Sequence, residues 1–336
     1  MALPQLLSPK PFLTECGMET SLVYKDKVHL PCFSSLPLVD SDSSRKLISH
    51  YYDSYISIAA ANGTGIVLDT RTWRGATPWA QPMGLSADKL LELNRAAVRL
   101  AKEARNRAVG GENNIPVVIS GTMGPLRDAY VDTSELITLE DAREGYREQV
   151  EVLADAGVDM LAIMTVTNLN EAIAVVELAK EVRLPVVVSF SIESDGRLLG
   201  GRSLGSAIRT VDEKTGGSVV YYGVNCAHPV RISAALRDVP EDVRGRIGLI
   251  KGNASLKSHD ELDNSETLDR GDISVFTDGF EGVLPLVPNV KVIGVVAVPM
   301  KSILRLSLNG ALNSSWVRIA RIAYSLLYLN VHSLSR

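Results

Sequence analysis

No apolar run in this 336-residue chain is long enough to span a bilayer. The opening stretch, MALPQLLSPKPFL, is broken by Pro4, Pro9 and Pro11, which denies it the continuous apolar core of a secretory leader. Lysine and arginine form no stripe with interleaved aromatics and the formal charge is -4, so a nucleic-acid backbone finds no electrostatic footprint. Cysteine is scarce: Cys16, Cys32 and Cys226 are an odd number without framework spacing, the pattern of thiols kept reduced in a cytosol. The first strand-to-helix turn lacks a G-x-G-x-x-G fingerprint, which weakens any dinucleotide reading. What remains is an ordinary globular composition, 46% hydrophobic. The expectation is a cytoplasmic protein with small-molecule partners and neither nucleic acid nor membrane as a partner.

What is present is alternation. Apolar stretches of strand length occur at 12–17, 65–70, 116–124, 159–166, 185–192, 219–225, 246–255 and 290–298. Between them lie segments of helical period, among them 41–61, 87–107, 170–182, 204–213, 229–236 and 274–286. Thr138 with Asp141 forms a variant capping box ahead of a helix that stops at Gly157, and Ser86 is placed to cap the helix that starts at Ala87. Near-continuous apolar strands alternating with amphipathic helices require a parallel sheet covered on its faces, and eight such units predict a (β/α)8 TIM barrel. An open doubly wound sheet is the alternative.

The chain is organised around VVYYGVNCAHPV, 219–230, a buried β run that ends abruptly in a polar cluster carrying a thiol. In a barrel, strand ends face one mouth, so Glu15, Cys16, Gly17, Asp69, Thr70, Thr122, Thr165, Glu193, Asn225, Cys226 and Asn253 are expected to converge there.

Five motifs, ECGMET near the start, GTMGPLRDAY after the third strand, NEA after the fourth, SF after the fifth and NCAHP after the sixth, resemble the homocysteine S-methyltransferase family. They fall in order over residues 11 to 294, and the Asn-Cys element is the most specific of them. The resemblance implies zinc held by three thiolates, one from the Asn-Cys element and two from a Gly-Gly-Cys-Cys-Gly-Thr motif at the eighth strand. A fourth, open position would take homocysteine as a nucleophilic thiolate. That thiolate would receive a methyl from a sulfonium-type donor, S-methylmethionine or S-adenosylmethionine, giving methionine. Cys226 matches the first ligand.

The eighth strand departs from this pattern. It reads Gly294-Val295-Val296-Ala297-Val298-Pro299-Met300, and no cysteine follows Cys226. One thiolate cannot hold catalytic zinc. Codons for the written residues, read one base earlier from Gly294, permit Gly-Cys-Cys-Gly-Thr-Asp-Glu-Lys. No Asp or Glu occurs after Glu281. A single-base slip near Gly294 therefore accounts for an altered last βα unit, with a barrel domain at 1–298 and an atypical tail at 299–336. A naturally diverged tail is the alternative.

The resemblance places Glu15 and Gly17 in the amino-acid pocket, and Asp69, Thr70, Thr165 and Asn225 at the strand ends are expected to supply further polar contacts. Each has a structural alternative: a mouth hydrogen bond for Glu15, a tight turn for Gly17, backbone satisfaction for the other four, and a buried structural thiol for Cys226. Met164 stands where the family places a glutamate that holds the substrate amine. Asp128 and Tyr130 are expected to pin the loop after the third strand, and the charged run 257–272 to form a solvated loop or a pocket lid. The expected function is zinc-dependent methyl transfer to a thiol, impaired in the chain as written. The alternative is an inactive family member that binds an amino acid or a partner.

Overall fold

The computed structural model describes residues 2–24, 26–109, 111, 114–131, 136–258, 261, 269 and 271–296. The tail 299–336, the last two residues of the run 290–298 and much of the charged run 257–272 lie outside the described residues. Eight parallel strands, β1 (Phe12–Thr14), β2 (Ile66–Asp69), β3 (Val117–Met123), β4 (Met160–Val166), β5 (Val186–Ser191), β6 (Tyr221–Asn225), β7 (Ile247–Asn253) and β8 (Val292–Val296), close in chain order. The seam is β1 on β8, with Phe12 opposite Val292 and Leu13 opposite Ile293, which excludes the open-sheet alternative.

One principal helix follows each of the first seven strands. These are α1 (Asp42–Ala61), α2 (Ala87–Val109), α3 (Leu139–Ala156), α4 (Leu169–Glu181), α5 (Leu204–Thr215), α6 (Pro229–Arg237) and α7 (Ile273–Val283). Their starts are chemically marked. Ser41 accepts the Ser44 N–H, Ser86 the Lys89 N–H at 3.2 Å and Asp272 the Ser274 N–H at 2.7 Å. Thr138 and Asp141 complete the capping box in both directions, and α3 ends on Gly157 at φ 78°. Among the described residues no helix is long and apolar enough to cross a membrane.

The two-residue strand period sorts side chains into two cores. Along β4, Met160, Ala162 and Met164 fill the lumen, while Leu161 and Ile163 pack outward against the helices. Each fully buried Leu or Ile contributes about 1.5–3 kcal/mol by leaving water. The lower end of the lumen is closed by the turn Pro4–Leu7, whose buried Gln5 donates to Tyr221 Oη at 3.3 Å and Met160 Sδ at 3.4 Å. β1 stops at Thr14, earlier than the sequence pattern suggests. From Glu15 onward a carboxylate replaces the ladder, both of its oxygens taking the Asp69 N–H at 3.1 and 3.0 Å.

The NEA motif has a packing role. Glu171 is buried in α4 and accepts the Leu126 N–H at 2.7 Å and the Tyr146 hydroxyl at 3.0 Å, which ties the loop after β3 to α3 and α4. Glu171→Ala strands both donors and is expected to cost about 1–3 kcal/mol in urea unfolding. An unchanged unfolding midpoint would contradict that role.

Candidate functional site

Strand ends and the loops after them enclose a cavity of about 690 Å³ at the C-terminal mouth of the barrel. Of the eleven residues expected at the mouth, Glu15, Cys16, Gly17, Asp69, Thr70, Thr122, Thr165, Asn225, Cys226 and Asn253 line it, whereas Glu193 does not: it lies in the turn after β5, where its N–H donates to Arg197 O at 2.7 Å. They divide by what their polar atoms already do.

Asn225 is 2% exposed and acts as a hub. Its Oδ1 accepts from the Thr165 N–H at 3.1 Å and Ser189 Oγ at 2.6 Å, and its Nδ2 donates to Thr165 Oγ1 at 2.9 Å and Cys226 Sγ at 3.0 Å. Thr165 and Cys226 both have left-handed backbones, φ 61° and 62°. For non-glycine residues that conformation costs on the order of 1–3 kcal/mol each and persists only where surrounding bonds fix it. Asn225 supplies those bonds, joining the ends of β4 and β6 and aiming the thiol. Thr70 is likewise committed to structure, sharing a 2.6 Å bond with Thr72 Oγ1 and accepting the Thr122 N–H at 3.1 Å. Gly17 accepts the Ser21 N–H at 3.3 Å and its φ is not left-handed, so it needs no special backbone freedom.

The cavity floor is ionic. Asp69 Oδ2 lies 2.8 Å from Lys251 Nζ, and Thr122 Oγ1 donates to its Oδ1 at 2.8 Å. These partners hold Asp69 below the usual carboxylate range despite burial. Glu15, 1% exposed, accepts from Arg71 Nη2 and from the Asp69 N–H. Burial, reinforced by neighbouring Asp69, still pushes its carboxyl up to about 7 against the pull of Arg71 and Lys251. Arg71 also donates to Asp69 O at 2.7 Å and lies 3.5 Å from Glu19. Above the floor, Arg74 is sandwiched between Trp73 and Trp79, its guanidinium 4.1 and 3.8 Å from the ring centroids.

Sequence reasoning missed Arg71, Arg74, Glu19 and Lys251. The available signals were two arginines in TRTWR just past a strand end and a lysine inside the apolar run of β7, a place where a charge survives only if paired. Met164 lines the cavity, so the position the resemblance gives to an acidic side chain presents a thioether. Asp128 and Tyr130 line it too, Asp128 Oδ1 accepting the Tyr130 N–H at 3.0 Å.

The ligand set for zinc is not assembled. Cys16 is buried and burial pushes its thiol up to about 12, which opposes the thiolate form. His228 caps α6, its Nδ1 accepting the Val230 N–H at 3.2 Å, and its ring meets Phe276 edge-on. Among the described residues no three His, Cys, Asp or Glu side chains gather as a metal-holding group, and the sequence beyond Val296 contains no Cys, Asp or Glu. The residues present do not fit a three-thiolate centre.

A family model described as homocysteine S-methyltransferase matches residues 12–276. Homocysteine S-methyltransferase 1 of Arabidopsis thaliana is 26% identical over 237 residues, covering 66% of this chain and 70% of its own. The selenocysteine methyltransferase of Astragalus bisulcatus is 28% identical over 194 residues, 50% of this chain and 56% of its own. Among solved structures, the oxidized form of the homocysteine methyltransferase MmuM from Escherichia coli aligns with TM-score 0.67 and 22% identity over 87% of this chain and 94% of its own. Its metallated form aligns with TM-score 0.66 and 20% identity over 96% of this chain and 98% of its own, and the two show the same fold.

Proposed function

Because this chain belongs to the homocysteine S-methyltransferase family, we propose that its barrel mouth binds a thiol amino acid of homocysteine type beside a methyl donor carrying a positive sulfonium or quaternary ammonium centre. The observation that carries the reading is the convergence of Glu15, Asp69, Asn225 and Cys226 on one cavity. The cavity lining favours a cationic donor. Five carboxylates, Glu15, Glu19, Asp69, Asp128 and Asp269, face three cations, Arg71, Arg74 and Lys251, and Tyr24, Phe33, Trp73, Trp79 and Tyr130 add aromatic surface that attracts a desolvated cation. In the transfer, the acceptor sulfur forms a bond to the methyl carbon, the donor's carbon–heteroatom bond breaks, and its electron pair stays on the donor as it becomes neutral. The acceptor thiol's proton leaves to solvent.

In the family a metal supplies the thiolate at neutral pH. This chain offers Cys226 alone of the three thiolates, so ligand binding with impaired turnover is the state proposed for the protein as written. The same deficit favours the second reading, an inactive binder. Residues 1–298 are assigned to the barrel domain and 299–336 to an atypical tail, and a single-base slip after Gly294 accounts for the loss of Cys-Cys-Gly-Thr from 296 onward, which the coding DNA tests directly. Calorimetric titration with homocysteine, methionine and S-methylmethionine is expected to give binding of the thiol and of the sulfonium. Heat from neither would sink the assignment of the mouth.

A further inference from the structure

Lys251 is the one lysine placed within a barrel strand among the described residues. It sits in β7 between Asn225 of β6 and Gly294 of β8. A Cβ at position 294 would come within 3.2 Å of Lys251 Cγ and 2.4 Å of Thr14 Cγ2, so the glycine clears a path for the lysine stem. The stem carries the ammonium to Asp69 Oδ2 at 2.8 Å, with the side chain 11% exposed.

An ammonium has three donors, and those that the protein does not meet fall to water or to a ligand in the cavity that Lys251 lines. Among the described residues Asp69 is the partner of Lys251 Nζ, which accounts for one. Asp69 does not depend on the lysine alone, since Thr122 Oγ1 serves its other oxygen at 2.8 Å. The other two cations of the cavity turn their bonded nitrogens to the protein, Arg71 to Glu15, Glu19 and Asp69 O, and Arg74 to the carbonyls of Pro125 and Arg127 between two indoles, and the Nε of each has no partner but is buried out of a ligand's reach. Lys251 lines the cavity together with Glu15 and Cys226 and still has donors to give.

We propose that Lys251 is the specificity-determining residue that receives the carboxylate of the methyl acceptor, while Glu15 faces its ammonium group, so that the site selects thiol amino acids over carboxylate-free thiols. This rests on the reading of the mouth as a thiol site and names what that site recognises. A zwitterion brings no net charge to a floor whose own charges are already paired. A ligand carboxylate on a buried ammonium makes a charge-assisted bond.

The test is calorimetry on the full chain with three probes: homocysteine, 3-aminopropanethiol, which lacks the carboxylate, and 4-mercaptobutanoate, which lacks the amine. Wild-type protein is expected to bind homocysteine at least about tenfold more tightly than 3-aminopropanethiol, as expected for one bond to a charged group. Lys251→Met is expected to bring that ratio close to one and to abolish 4-mercaptobutanoate binding. Because Lys251→Met leaves buried Asp69 without its ion-pair partner, the double variant Lys251→Met/Asp69→Asn is measured beside it. Asparagine still accepts from Thr122, and the double variant is expected to show the same loss of preference in a folded protein. Retention of tenfold selectivity in either folded variant, or equal binding of homocysteine and 3-aminopropanethiol by wild type, overturns the role of Lys251 and leaves the thiol site standing. A wild-type chain that binds none of the three probes removes the thiol site itself and the proposal with it.

Discussion

Replacing Arg71 with methionine is expected to cost about 3–5 kcal/mol of folding stability at neutral pH, the usual consequence of removing one partner from a buried ion pair. Arg71 is 6% exposed, and its guanidinium binds four groups at once. Its Nη2 donates to Glu15 and to Asp69 O, its Nη1 lies 3.5 Å from Glu19, and its plane sits 5.7 Å from the Tyr52 ring centroid. Tyr52 Oη in turn donates to the same Asp69 carbonyl at 2.8 Å, so β1, β2 and α1 meet on this one side chain. Methionine matches much of its volume and none of its charge. Glu15 would then face Asp69 with Lys251 as the one remaining close cation, which raises the Glu15 carboxyl further. The double variant Arg71→Met/Glu15→Gln is expected to recover part of the loss by removing the uncompensated charge. Urea unfolding of the two single variants and the double gives the coupling, and a loss below about 1 kcal/mol for Arg71→Met would show that the pair is not the organising contact described here.

The second large effect concerns pH. Glu15 sheds its proton near 4.5 in the unfolded chain and near 7 in the folded one. Between those values the folded state binds more protons, so the Glu15 contribution to stability falls as pH rises, by about 3 kcal/mol in total. Asp69, one hydrogen bond away, runs the other way: its folded carboxyl titrates below the usual range, so its contribution is present above the unfolded value and is lost as pH falls. The Glu15→Gln variant keeps an acceptor for the Asp69 N–H and removes the titration. The difference between wild-type and variant stability is expected to decline by about 3 kcal/mol from pH 4.5 to 7.5. Parallel curves across that range would mean that Glu15 titrates normally in the folded protein.

The barrel was legible because its cause is local. A strand covered on both faces must be apolar at every position, and helices between such strands announce themselves by period and by caps such as Thr138–Asp141. Ten of the eleven residues expected at the mouth reached it for a topological reason, since parallel strands deliver their ends to the same face. What each residue does there was less legible. Asn225 reads as a substrate contact in sequence, yet its amide is spent on Thr165, Ser189 and Cys226. The Asp69–Lys251 pair joins residues 182 positions apart, and no local pattern encodes such a partnership. The left-handed backbones of Thr165 and Cys226 were equally invisible, because neither residue type signals that conformation and only the closed barrel imposes it.

The proposed function joins an amino-acid site at the barrel mouth to a chain that lacks the thiolates for a three-thiolate metal centre. Zinc content of the purified 336-residue chain tests it most directly, measured beside a version in which Gly-Cys-Cys-Gly-Thr is restored after Gly294. The chain as written is expected to hold well under about 0.1 zinc per molecule, and the restored chain about one, lost again on Cys226→Ala. One zinc per molecule in the chain as written, removed by Cys226→Ala, would contradict the claim and place the missing ligands elsewhere at the mouth.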